Sequence, residues 1–257
     1  MKRINPRRLI HSVILITLFV GYGTGLKAAE LHGSLMATSS YFWRGYSKSD
    51  HHVSGQVNLD FTWIEEDSGY YLGAWLSSID FGSQNPGSAA EYELTLYGGW
   101  SQRLTEDFTV DLQASHYIYD DRLFDLNADY SELYVFLHYR DLLTAEVAYA
   151  PDAYSLGSAT VNGQLTLRYP LHRYIDFSAG SGYFAARDVF IYDYRYWNAG
   201  VTWKANRFSL DIRHFSARFT NKRTFASPYS AYRYYQANYH SLPYTSSATV
   251  VTLATGF

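Results

Sequence analysis

From His32 to the C-terminus, apolar and polar residues alternate with a period of two, and this rhythm leaves few folds open. Residues two apart share one face of a strand, so each run makes a strand with an apolar side and a polar side. Over residues 91–101, one face carries Tyr92, Leu94, Leu96, Gly98 and Trp100, and the other carries Glu91, Glu93, Thr95, Tyr97 and Ser101. Val57, Leu59, Phe61 and Trp63 alternate in the same way with Asn58, Asp60 and Thr62, and Leu165, Leu167 and Tyr169 with Thr166 and Arg168. A helix would place polar residues on the apolar stripe in every run.

Twelve runs follow one another, at about 32–46, 52–64, 70–81, 89–103, 107–119, 130–140, 142–154, 158–171, 174–187, 192–204, 207–219 and 246–257. Every second connection is tight, as at Asp141 and at His172–Arg173, whereas the alternate ones are longer, the longest being residues 220–245. An all-β fold is expected: a closed, antiparallel, up-and-down transmembrane β-barrel of about 12 strands, with short turns at one end and loops at the other. Period alone does not say which face looks outward, since a soluble barrel shows the same alternation reversed. The aromatic content speaks for lipid outside. The chain has 26 Tyr, 15 Phe and 6 Trp, residues suited both to strands and to the membrane–water boundary. Trp63, Trp100 and Trp203 fall near the tight-turn ends of their runs, and Tyr117, Tyr119, Tyr192 and Tyr194 near the loop ends, which predicts two aromatic girdles.

The first 29 residues stand apart. Lys2, Arg3, Arg7 and Arg8 precede an apolar stretch from Leu9 to Val20, and small residues follow as far as Ala28 and Ala29. That order reads as a signal peptide over 1–29, leaving a barrel over 30–257. The remaining chain holds 16 Lys and Arg against 24 Asp and Glu, a net charge of −8, which excludes a nucleic-acid-binding balance. There is no Cys, so neither a disulfide framework nor a thiolate metal site is available. Phe257 closes the last run, whose one face is Thr249, Val251, Leu253, Thr255 and Phe257. It resembles the terminal signal that bacterial outer-membrane barrels present to their assembly machinery, so that machinery is an expected partner.

Three segments in order resemble one family. Ser39-Ser40-Tyr41-Phe42-Trp43-Arg44-Gly45-Tyr46-Ser47 resembles the opening strand of the TorF-like porins, formerly the Gcw conserved hypothetical family, with Ser40 where that family usually has Asp. The run from Gly69 to Phe81, with Gly73, Trp75 and Asp80, and the run from Glu91 to Gly99, with Glu93 and Tyr97, resemble the strands that follow. The resemblance implies an outer-membrane, porin-like barrel, and no cofactor is expected.

The expected function is passive diffusion of small hydrophilic solutes. Arg44 and Asp80 fall near loop ends of their strands, as an ion pair at the mouth or as two solvated charges. Glu91, Glu93, Asp111 and Arg168 lie on polar faces that would line the lumen, where the acidic excess favours cations unless these groups pair and plug the interior. No Asp or Glu occurs from Ile212 to Phe257, while Arg213, Arg218, Lys222, Arg223 and Arg233 do. The loop cations Arg218, Lys222 and Arg223 could therefore meet lipopolysaccharide phosphates or bias the mouth. Two other classes stay open: a non-conducting structural barrel, and a lipid hydrolase. His214-Phe-Ser216-Ala217 resembles the His-x-Ser-Asn motif of lipid A deacylases, but Ala217 replaces the Asn and no acid follows. The histidines show no metal-ligand spacing.

Overall fold

A computed structural model describes residues 29–82, 87–123, 125–222 and 247–256, so the expected signal peptide lies outside it except for its last position. Fourteen strands form: β1 (Glu30–Thr38), β2 (Phe42–Trp43), β3 (Tyr46–Ser47), β4 (Ser54–Glu65), β5 (Ser68–Ser78), β6 (Tyr92–Arg103), β7 (Phe108–Tyr119), β8 (Tyr130–Tyr139), β9 (Leu143–Ala150), β10 (Thr160–His172), β11 (Ile175–Ala185), β12 (Tyr192–Ala205), β13 (Phe208–Lys222) and β14 (Ala248–Gly256). Twelve of them close a barrel in chain order, with β1 joined to both β4 and β14. Every pairing is antiparallel. Closure gives each of the twelve barrel strands two partners and so leaves the barrel no unpaired edge.

The phase that period alone leaves open is set by exposure. Leu133, Leu165 and Leu253 are 58%, 56% and 59% exposed on the outer surface, while Glu93, Glu132 and Asn162 are buried inside. In water that arrangement would be upside down; against acyl chains it is the favourable one. At the tight-turn end, Trp63, Tyr70 and Trp100 stand side by side across β4, β5 and β6, and Trp203 faces outward on β12. That girdle matches the expectation.

The other expected girdle does not form as drawn. Tyr117, Tyr119 and Tyr194 are buried inside the barrel. Tyr117 and Tyr119 share the parity of Asp111, Gln113 and Ser115, the lumenal face of β7, so they pack inward despite their height. Together with Tyr46, Tyr130, Tyr154, Phe184 and Phe190 they make a small aromatic core at the loop end.

The first expected strand is also shorter than its run. β1 stops at Thr38, and residues 42–47 leave the wall as a hairpin, β2 paired with β3. The two residues between them, Arg44 (φ 46°) and Gly45 (φ 84°), both have positive φ. That geometry matches the two-residue turns whose twist suits hairpins. The stalk of this hairpin is fastened where β1 meets β14: Ser39 N–H donates to the Val251 carbonyl at 2.9 Å, and Val251 N–H donates to Ser39 Oγ at 3.0 Å. At the opposite end, Arg140 Nε donates to Asp107 at 2.7 Å and so ties two neighbouring turns. That hydrogen bond, with the carboxylate charge behind it, raises the Arg140 pKa above its ordinary value.

Candidate functional site

The hairpin points into the barrel and crosses it. Phe42 stacks on Phe215 of β13 with ring centroids 4.9 Å apart. Trp43 meets Tyr117 of β7 and Phe184 of β11 edge-on. A Cβ on Gly45 would stand 2.6 Å from Tyr196 Cβ of β12 and 2.8 Å from Ala217 Cβ of β13, so only glycine fits at the tip. Tyr46 and Tyr154 share a hydrogen bond between hydroxyls, 2.5 Å long.

Two buried ion pairs stitch the hairpin to the wall. Lys48 Nζ lies 2.5 Å from Glu93 Oε2, with neither side chain exposed. Glu93 also accepts hydrogen bonds from Tyr41 at 3.2 Å and from Tyr119 at 2.7 Å. The Lys48 ammonium lies 4.5 Å from the Trp43 ring centre. On the other side, Arg44 Nη1 donates to Glu132 Oε1 at 2.7 Å and Nη2 lies 3.7 Å from Glu146. The guanidinium rests over Trp43 at 4.1 Å and near Phe184 at 5.2 Å. Coulomb attraction, hydrogen bonds from tyrosines and the aromatic faces together offset the desolvation of these charges.

Below the hairpin, toward the tight turns, two polar walls face each other. On one, Tyr71 donates to Asp111 at 2.6 Å and to Gln113 at 3.1 Å, and Tyr97 donates to Asn58 at 2.8 Å. Gly99 and Gly73 sit directly opposite Tyr71 and Tyr97, and a side chain at either would overlap the neighbouring ring. Asp60 and Asp111 have no ion-pair partner among the described residues. On the other wall Arg213 donates to Asn198 at 2.8 Å, to Ser178 at 2.6 Å and to Asp211 at 3.1 Å. Arg168 and Lys204 converge on Asp176, Arg168 Nη2 at 2.6 Å. The lumen thus carries unpaired acid on one side and a basic cluster on the other.

The remaining residues singled out in the sequence are dispersed. Arg44 and Asp80 do not meet. Arg44 is drawn into the lumen by Glu132, and Asp80 instead accepts a hydrogen bond from His52 Nδ1 at 2.9 Å, half exposed at the loop end. Glu91 is exposed at the top of the wall, while its neighbour in phase, Glu93, is sealed beneath the hairpin. Arg218 is exposed on the outer face of β13. Lys222 ends that strand, and its side chain, like Arg223 and Phe257, lies outside the described residues. His214 is bonded to Thr249 and Ser247, each at 3.0 Å, rather than to Ser216.

Sequence reasoning misses Lys48. It sits among Ser47, Ser49 and Asp50, a setting that reads as a solvated loop, and its partner is 45 residues away.

These side chains fall within one shared pattern. The family described as a bacterial protein of unknown function, Gcw_chp, matches residues 24–252. The chain belongs to the Gcw_chp family. The Gcw_chp match spans the hairpin, both ion pairs and all of the barrel up to the middle of β14. Comparison with curated proteins gives no match. Among solved structures, a chain from work on in-meso crystallisation of membrane proteins is 8% identical with a TM-score of 0.51, covering 88% of this chain and 83% of that one. The COG4313 outer membrane channel from Pseudomonas putida F1 is 12% identical (TM-score 0.48; 92% and 98% covered), and the KdgM porin in complex with oligogalacturonate 8% (0.48; 90% and 99%). At 8% identity the first of these is a likeness of fold alone.

Proposed function

We propose that this Gcw_chp barrel is an outer-membrane channel for passive diffusion of small hydrophilic solutes, held closed toward its loop end by the hairpin at residues 42–47. One observation carries the reading. Below the hairpin the lumen is lined by polar and charged side chains of opposite sign rather than filled with apolar ones. Twelve strands exceed the eight whose side chains can fill a barrel interior, so that lining surrounds space for water and solute. The closure above it depends on two side-chain charge pairs and a glycine turn, not on the backbone hydrogen bonds that form the wall.

In this reading the loops face outward, the tight turns face the periplasm, and residues 1–29 are removed after export. The His214 ring is held by two hydroxyls, Thr249 and Ser247, and among the described residues no carboxylate is bonded to it, which favours the channel reading over a hydrolase. Planar-bilayer recording of the refolded chain tests the proposal. Small or rare conductance steps are expected from the wild type and larger or more frequent ones from Lys48→Met/Arg44→Met. A folded barrel silent in both forms would be the structural, non-conducting kind instead.

A further inference from the structure

The outer surface carries a feature that transport does not use. On β12 the outward residues include Arg195, Trp197, Ala199, Val201 and Trp203; on β13 they include Phe208, Leu210, Ile212, His214, Ser216 and Arg218. The register sets Trp197 beside Ser216 and, one row nearer the loops, Arg195 directly opposite Arg218. Both arginines are exposed. Directly opposed residues have Cβ atoms roughly 4.5–5.5 Å apart, and like charges so placed repel. Neither guanidinium has an ion pair or a side-chain hydrogen bond among the described residues.

Their neighbours supply no relief. Arg195 faces Tyr183 across β11, whose hydroxyl is already donated to Asp193 at 3.0 Å. Asp193 is buried and takes up the backbone N–H groups of Ala186 and Arg187 as well. On the other side, no carboxylate occurs anywhere after Asp211. The one nearby carboxylate, Asp193, is already engaged by the groups just named and by the Arg187 side chain at 3.8 Å, so two adjacent, unmatched, outward cations are left for an anion from outside the chain.

Height decides which anion. Trp197 is 46% exposed and its ring lies 5.4 Å from that of His214. Trp197 lies in the loop half of β12, and an outward Trp suits the level where acyl chains give way to headgroups. The arginines stand one step above it, with long stems able to rest on the apolar surface while their heads reach the polar layer. Arginine pairs with phosphate in bidentate fashion.

We propose that Arg195 and Arg218 form a clamp for a phosphate of a phosphorylated glycolipid in the outer leaflet, lipid A in type. The inference rests on the outer-membrane placement proposed above but not on conduction.

The test uses the full mature chain, refolded in detergent, with diphosphoryl lipid A, the same lipid stripped of phosphate, or inorganic phosphate as probes. Two readouts serve: the temperature at which the folded gel band converts to the unfolded one, and bound lipid counted by native mass spectrometry. Lipid A should raise the wild-type conversion temperature and remain bound, and the other two probes should do neither. Arg195→Gln/Arg218→Gln should lose the shift and bind lipid A at least tenfold more weakly, while Arg195→Lys/Arg218→Lys keeps part of both. Folding of each variant is verified by the band shift itself, and its single-channel conductance should equal that of the wild type. Equal lipid A shifts in wild type and the Gln variant would overturn the site. An equal shift from dephosphorylated lipid would overturn the phosphate, and one from inorganic phosphate would overturn the lipid. If the Gln variant does not fold, the phosphate-free lipid arm on wild type alone still decides.

Discussion

Lys48 and Glu93 meet inside the barrel with no solvent reaching either side chain, joining a loop residue to the second position of a wall strand 45 residues later. A pair of this kind contributes little net stability when intact, because desolvation consumes most of the attraction. Broken on one side, it leaves a charge buried without its partner.

Glu93→Gln and Lys48→Met, made singly, should each destabilise the hairpin by about 3–5 kcal/mol, and the double variant should recover most of that loss. Urea unfolding in lipid vesicles, followed by Trp fluorescence, measures all three. Additive losses in the double variant would show that the two groups do not act as a pair.

Gly45→Ala forces a methyl against Tyr196 and Ala217 and into a left-handed backbone conformation that costs a further ~1–2 kcal/mol. The hairpin should unseat while the barrel stays formed. Far-ultraviolet circular dichroism should be unchanged and channel open probability should rise. A fall in strand content would mean that the hairpin supports the wall and does not merely occupy it.

Tyr130 Oη is buried with no hydrogen-bond partner among the described residues, whereas Tyr46 Oη bonds to Tyr154. Tyr130→Phe should therefore be neutral or stabilising, and Tyr46→Phe should cost about 0.5–1.5 kcal/mol. Thermal unfolding midpoints compare the two directly, and a larger loss at position 130 would contradict the assignment.

Selectivity should follow the lower lumen. Asp111→Asn removes an unpaired carboxylate from one wall and should shift the reversal potential in a salt gradient toward anions; Arg213→Gln should shift it the other way. Glu91→Gln, at the exposed rim, should change it less, since exposed charges more than about 8–10 Å from the ion path are screened at physiological salt.

Much of this architecture was legible in the residues. Alternation of Leu94 and Leu96 with Glu93 and Thr95 located β6 and its two faces, because each side chain's direction follows from backbone parity alone. The hairpin was not legible for the same reason: Tyr41, Trp43 and Tyr46 continue an aromatic strand-like run, and nothing local separates a strand that stays in the wall from one that folds inward. Arg44-Gly45 held a clue, since both positions of such a turn need positive φ, but Arg-Gly is a weak form of a signal that is strong as Asn-Gly. The partners of Arg44 were beyond local reading, as Glu132 lies 88 residues on and is chosen by curvature of the closed sheet.

Ser39 belongs at once to the base of the hairpin and to the junction where the first strand meets the last. That junction joins residues more than two hundred apart in the chain, Val251 to Ser39 among them, the pairing with the greatest loop-closure cost and so the slowest to establish. The hairpin's seat is made by side chains of β6 through β13, so it exists only once those strands have curled round. A force drawing the hairpin out therefore also loads the weld that completes the cylinder. In the proposed channel, opening and rupture would then begin from a common point, and removal of the hairpin is bounded by the strength of that closure.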